Sequence, residues 1–227
     1  MKRKPGDQPT THTHQTVAVV LQIRRTALRA LVWKRAFPPF PGRWALPGGR
    51  LERETLEQSI RRHLAAKVDV RELSHLEQLE SRADSGSGLV TTAYLGLIRT
   101  GIDPAVPEDT QWHPVDDLPP TAFDHGSFVL AARERLRAKL SYTNLGFALA
   151  PETFTISELR DLYAAALGHE VSATNLQRVL IRRGVLEPTG ERRPSGRSGG
   201  RPAEVFRFRS ADLEITDQFA VLRPPGR

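Results

Sequence analysis

The sequence predicts an α+β chain made of two folded units in succession. Strand-like runs mix with helical patterns from Thr16 to about Leu118. A mostly helical stretch then leads to Pro151, and two short amphipathic helices followed by two strand-like runs complete the chain. At 227 residues, 39% of them hydrophobic, the chain has room for one large domain or for a medium domain plus a small one.

The first fifteen residues, "MKRKPGDQPTTHTHQ", are basic and polar with no apolar run behind them. They predict a disordered tail rather than a signal peptide, with His12 and His14 solvated rather than holding a metal. "TVAVVLQIR" and "ALRALVWKR" are β-rich runs split by a short polar break, which predicts a hairpin or neighbouring strands. "FPPFPGRWALPGG" is rich in proline and glycine and reads as irregular, "DSGSG" as a flexible loop, and "LVTTAYLGLIR" as another strand. Residues 121–149 read mostly as helix, and Pro151 marks the joint between domain 16–150 and domain 151–227.

Beyond the joint, Thr155 caps a helix with Glu158 three residues on, a capping box, and Phe154 and Leu159 are placed for a hydrophobic staple. Ile156, Leu159, Leu162, Tyr163, Ala166 and Leu167 give that helix an apolar face, and Gly168 stops it. "TNLQRVLIRR" is a second helix closed by Gly184, and "VLEPTG" and "EVFRFRS" are hairpin strands joined by "ERRPSGRSGGRPA". Two short helices followed by a long-looped hairpin is the order of a winged helix-turn-helix.

The absence of cysteine excludes disulfides and thiolate zinc sites and fits a cytoplasmic protein. No run of about 18 apolar residues is present to span a membrane. A formal net charge of +7 points to a polyanionic partner, and where the charge sits matters more than its sum: in the second unit arginines cluster in the hairpin loop. Asn175, Arg178 and Arg182, three and four residues apart, share one face of the second helix, with Leu176, Val179 and Leu180 to the other side. Asn and Arg are suited to bidentate contact with base edges, and the second helix of this motif is the one that enters the major groove. Arg192, Arg193, Arg197 and Arg201 make the hairpin loop a basic wing, faced only by Glu191. Phe206 and Phe208 alternate with Arg207 and Arg209, aromatics inward and arginines outward. The alternative is a winged helix whose polar face is simply solvated or serves protein contacts.

In "GGRLERETLEQSIRRHLAAKVDV" (48–70), Gly48, Glu54, Arg62, Leu64 and Val70 resemble the Nudix box, G-x5-E-x7-R-E-U-x-E-E-x-G-U, with U aliphatic. "WALPGG" and "WHPVDDLPP" also look like Nudix sequence. The resemblance implies a Nudix-like α/β/α sandwich with a mixed sheet. Carboxylates three and four apart on a helix gather the hard divalent cations that activate water. Here those positions hold His63, Ala66 and Lys67: a poor magnesium ligand, no ligand, and a cation. Asp69 replaces the closing glycine, which a left-handed turn tolerates. Glu52, Glu54 and Glu57 leave a rearranged metal site conceivable; the plainer reading has Glu54 capping the helix and the others solvated. No catalytic residue and no metal ligand is therefore assigned. A cleft without its metal still binds nucleotide: Arg43, Arg50 and Arg62 are candidates for phosphate and Phe40 and Trp44 for base stacking, against ordinary packing or surface charge.

The joined pattern resembles the Nudix-related transcriptional regulators, through "LPPTAFDHGSFVL", "LRAKLSYTNLGFALAPETFTISELRDLY" and "SGGRPAEVFRF". The arginine-rich composition resembles that of actinobacterial members. The resemblance implies a homodimeric repressor on a palindromic double-stranded DNA operator, controlling NAD synthesis or salvage, with ADP-ribose or a related nucleotide as effector and no cofactor. Segment 133–149, with Arg135, Arg137 and Lys139, is then the transmitter between domains, its basic residues also reaching phosphate. Two rivals remain: an active ADP-ribose-type pyrophosphohydrolase working through Glu52 and Glu54, and an RNA-binding adaptor.

Overall fold

The computed structural model describes residues 13–84, 86–194 and 202–217. β1 (Thr13–Arg24) is apolar along most of its length because both of its faces are covered. Ala18 and Val20 join one core cluster, and Val17, Val19 and Leu21 join another on the opposite face. β1 begins three residues before the predicted domain start. His14 is held there by the Thr92 hydroxyl at 2.8 Å and its carbonyl accepts from Leu51 N, so it belongs to the sheet rather than to a solvated tail. His12 lies outside the described residues.

β1 pairs antiparallel with β2 (Ala27–Lys34) through the turn Arg25–Thr26, both at positive φ, 49° and 66°. A two-residue turn of this hand suits Asn-Gly, and larger side chains there cost on the order of 1–2 kcal/mol each. The proline- and glycine-rich stretch is less irregular than its composition predicts. It contains β3 (Trp44–Ala45), which pairs with β2, and β4 (Gly48–Arg50), which pairs with β1. Then come α1 (Leu56–Val68), β5 (His75–Asp84), β6 (Leu89–Leu97) and β7 (Thr110–Pro114). β6 runs parallel to β1 and the other pairings are antiparallel, giving a mixed sheet of order β3-β2-β1-β6-β5, with β4 added to β1 and β7 to β2.

α1 covers one face through Ile60, Leu64 and Val68, and α2 (His125–Tyr142) covers the other through Phe128, Val129, Ala132 and Leu136. The cap of α1 is Thr55, whose side chain accepts from Gln58 N while Gln58 reaches back. Glu54 is not the cap; the chain gives that place to the hydroxyl one residue later and turns Glu54 towards Arg62. Asp69 closes α1 in the left-handed region, φ 51°.

The second unit comprises β8 (Phe154–Thr155), α3 (Ile156–Leu167), α4 (Ala173–Arg182), β9 (Leu186–Arg193) and β10 (Ala203–Phe208). Its sheet order is β8-β10-β9, the wing of a winged helix. The Thr155–Glu158 capping box is present, and Gly168 ends α3 at φ 76°. Leu159, Leu162, Tyr163 and Ala166 are buried in the cluster that also takes in β1 and α2, so one apolar core runs through both units.

Polar contacts fix α2 between them. Glu77 on β5 receives Lys139 Nζ at 2.5 Å and His75 Nε2 at 3.0 Å, with Arg135 at 3.6 Å. Arg137 reaches the Ala166 carbonyl on α3 at 3.4 Å and Glu134 at 3.1 Å. Arg137 and Lys139 are thus both engaged internally, Lys139 in a half-buried pair. Just past α2, Asn144 exchanges hydrogen bonds with Asp212 and Glu214. Asp217 N donates to the Tyr142 carbonyl, and the Asp217 carboxylate pairs with Arg183, directly after α4, at 2.9 Å.

Burial works against the Glu77 carboxylate, yet His75 and Lys139 hold its pKa down at about 2. Lys139→Met leaves that charge short of its nearest partner, and is expected to lower unfolding free energy by roughly 2–4 kcal/mol in urea titration. Unchanged stability with weakened DNA binding would instead put Lys139 on phosphate.

Candidate functional site

The box helix has found internal work for the positions that resemble metal ligands. His63 is buried, and its Nε2 donates to the Arg50 carbonyl at 3.0 Å. Burial lowers its pKa, which keeps the imidazole neutral. A Cβ on Gly49 would stand 2.5 Å from that ring, so the glycine is what lets it in. Lys67 Nζ donates to the Gly48 carbonyl at 2.5 Å and lies 4.8 Å from the Trp33 ring centroid. Burial, then the nearby Arg35 charge, lowers its pKa. Both side chains thus clamp α1 onto β4, and Ala66 between them is exposed.

The remaining carboxylates are also taken. Arg62 binds Glu54 through Nε and Nη2, the closest contact at 2.5 Å, and reaches Glu52 at 3.4 Å. The hydrogen bonds from Arg62 hold the Glu54 carboxyl at about 2. Glu57 pairs with Arg61 one helical turn on. Among the described residues no three His, Asp or Glu side chains converge as a metal site needs. These side chains do not fit the divalent cations that the Nudix box would gather.

A pocket of about 290 Å3 opens on the α2 side of the sheet, between the ends of β1, β5 and β6 and the start of α2. Phe123, 41% exposed and at φ 55°, forms its rim. Arg82 lies over the Phe128 ring, 4.1 Å from its centroid, and is fixed by Ser127 and Glu80. Gln15 and Thr91, hydrogen-bonded at 2.8 Å, line the strand side. The Phe40 ring meets Phe123 edge-on at 5.2 Å, and Arg35 sits 4.8 Å over the other ring while binding the carbonyls of Phe37, Pro38 and Pro39. Aromatic rings and guanidinium groups are the partners such a pocket offers to a planar base.

Of the five nucleotide candidates, only Phe40 therefore lies against this pocket. Trp44 packs on His113 at 4.8 Å and against the core, because β3 pairs with β2. Arg62 is spent on Glu54. Arg43 and Arg50 are exposed, on the turn before β3 and at the end of β4. Arg35, Arg82, Phe123 and Phe128 gather at this pocket with no sequence signal that marks them as a group. Phe123 and Phe128 stood within "LPPTAFDHGSFVL" without a spacing to single them out; Arg82 carries no local signal, since only strand pairing brings it to α2.

On the second unit, Asn175, Arg178 and Arg182 are exposed on α4 with Ile181, which is 48% exposed, while Leu176 and Leu180 are buried. The Ser172 hydroxyl caps the helix, and Arg178 donates to Asn175 Oδ1 at 2.8 Å, which steadies both side chains. Arg192 is exposed at the end of β9. Arg193 is instead bound to Glu158 at 3.1 Å and to Thr153 at 2.7 Å, so it braces the wing against the capping box. Arg197 and Arg201 lie outside the described residues.

Residues 12–132 match the NUDIX domain family, and residues 146–208 match the NrtR DNA-binding winged helix domain. The chain is 30% identical over 213 residues to the ADPR responsive transcriptional repressor NtrR of Acinetobacter baylyi, spanning 86% of this chain and 82% of the relative. Shewanella oneidensis NrtR, crystallised with a 27mer DNA, shares 31% identity and a TM-score of 0.71 over 86% of this chain and 93% of that one. The NUDIX domain of Shewanella NrtR, crystallised with ADP ribose, matches at 32% identity and a TM-score of 0.50 over 56% of this chain and 90% of that one.

The His125 ring gives this region a pH signature. Its Nδ1 accepts from Leu46 N at 2.9 Å, and burial, then Arg35, lowers its pKa to about 4. The folded state therefore binds its proton less readily than the unfolded chain. Stability is full above about pH 6.5 and is lost as the pH falls towards 4, by about 2 kcal/mol between pH 7.5 and 5. His125→Asn, which keeps an acceptor without titrating, should flatten that slope in thermal melts; an unchanged slope would assign it to other groups.

Proposed function

The chain belongs to the NrtR family of Nudix-domain regulators, and from that membership we propose that it is a transcriptional repressor released from DNA by ADP-ribose or a related nucleotide. It reads a palindromic operator as a homodimer in the cytoplasm and controls genes of NAD synthesis or salvage. The observation that carries this reading is the continuity of α2. Its N-terminal end lines the Phe123 pocket, and its last carbonyls are bonded to the segment that holds Arg183 at the end of α4.

An 18-residue helix is about 27 Å long, and its packing resists bending. A nucleotide that seats its base against Phe123 and Arg82 acts on the first turn of α2. A shift of that turn is passed to the Asp217–Arg183 pair, and so to the face bearing Asn175, Arg178 and Arg182. In a dimer, such a shift changes the spacing of the two α4 helices against the operator half-sites. Effector and operator then weaken one another by the same factor.

The Nudix half works as a sensor without hydrolysis. The Lys67 ammonium repels a divalent cation, and the Glu54 carboxylate is taken up by Arg62, which also reaches Glu52. The ligand then persists as a signal.

Sheared genomic DNA captured by the protein and sequenced, with and without ADP-ribose, tests the proposal. A palindromic site is expected to be enriched without ligand and lost with it. No enriched site in either condition, or release of AMP from ADP-ribose at an enzymatic rate with magnesium or manganese, overturns it. Arg178→Ala should weaken operator binding about 10- to 100-fold and leave ADP-ribose affinity unchanged, as read by separate titrations. Phe123→Ala should do the reverse.

A further inference from the structure

A second cavity, of about 450 Å3, lies towards the opposite end of β1 from the Phe123 pocket. Gln15 lines one and Gln22 the other, roughly 23 Å apart along the strand. Gln22 fixes one wall by donating to the carbonyls of Arg99 and Ile102, at 2.8 and 2.6 Å. The other walls carry Arg24, Arg25, Arg29 and Trp112, with Asp103 as the one carboxylate.

Three features mark this cavity. Its charge is unbalanced, three guanidinium groups against one carboxylate. The Asp103 pair with Arg24 is 2.5 Å long, but Asp103 is 76% exposed, so solvent weakens its hold. Second, Arg29 Nε and Trp112 Nε1 are buried and have no acceptor among the described residues. Arg24 lies over the indole, 5.1 Å from its centroid, while Arg29 Nη1 is used on the Trp112 carbonyl at 3.0 Å. Third, the tight β1–β2 turn, with Arg25 in the left-handed region, sets that guanidinium at the cavity.

We propose that this cavity binds a small phosphate-bearing anion. Guanidinium forks match phosphate oxygens, and a ligand held by Arg24 and Arg29 lies against the Trp112 ring that Arg24 covers. The cavity is open to solvent and, at about 450 Å3, has room for a compact anion. Ile23, Arg25 and Thr100 also face Pro151, Glu158 and Leu162 across the joint, so the ligand sits beside the winged helix. The assignment stands independently of the effector reading.

The chain has three tryptophans, so indole N–H signals in a nitrogen-15 correlation spectrum give a local readout. Titration with inorganic pyrophosphate at constant ionic strength should shift the Trp112 signal saturably and leave Trp33 and Trp44 in place. Arg29→Met should weaken the effect about tenfold or more, while Arg82→Met in the other pocket leaves it unchanged. The Trp33 and Trp44 signals report whether the variant folds, and Arg24→Gln replaces it if it does not. No saturable shift, an equal shift with chloride, or loss of the shift in Arg82→Met overturns the proposal. A shift produced by duplex DNA but not by pyrophosphate overturns it in favour of the operator backbone.

Discussion

The buried carboxylate of Glu77 is the point from which the rest of the molecule takes its position. One charge on β5 collects an imidazole, an ammonium and a guanidinium, and two of those come from α2. A charge removed from water is tolerated only when it is well partnered, so the geometry of β5 dictates where α2 lies. From that placement follow the Phe123 pocket at one end of the helix and the seating of α3 and the Asn144 contacts towards the other. The apolar cluster supplies the larger share of cohesion, but it is non-directional. Ion pairs and hydrogen bonds set the rotation and register of the helix against both units.

The Nudix-box helix is held to the sheet by positions where the family pattern places carboxylates. An ammonium and an imidazole now bind carbonyls of β4 from two of the altered positions. That protein-bound clamp joins the helix to the glycine turn. Arg62 and Glu54 are retained in spacing and bonded to each other, which makes that pair a brace of the turn.

The two-unit order was legible in the sequence because its signals are local. The Thr155–Glu158 box and Gly168 define α3 within one helical length, and the spacing of Asn175, Arg178 and Arg182 gives their common face directly. What stayed hidden depends on pairing between distant segments. β5 reads as "HLEQLESRAD", polar and weakly alternating, since its edge position leaves much of it exposed; only its pairing with β6 makes it a strand. Arg82 and Phe128 meet for the same reason. Arg193 and Lys139 looked like surface charge, and nothing local announces Glu158 or Glu77 as their partners. Basic composition points to a polyanion, but cannot separate an arginine that meets one from an arginine that braces a loop.

Asn144 gives the chain a timing. Its side chain is 2% exposed, and its amide partners are backbone groups of Asp212 and Glu214, near the end of the described residues. During synthesis the sheet and α2 leave the ribosome well before those partners exist. The Asn144 amide therefore stays bonded to water until the wing has been made and segment 212–217 folds back across it. The connection between sensor and DNA reader is completed by residues that follow the wing. A chain cut short before them has both halves but lacks the fastening through which one can inform the other.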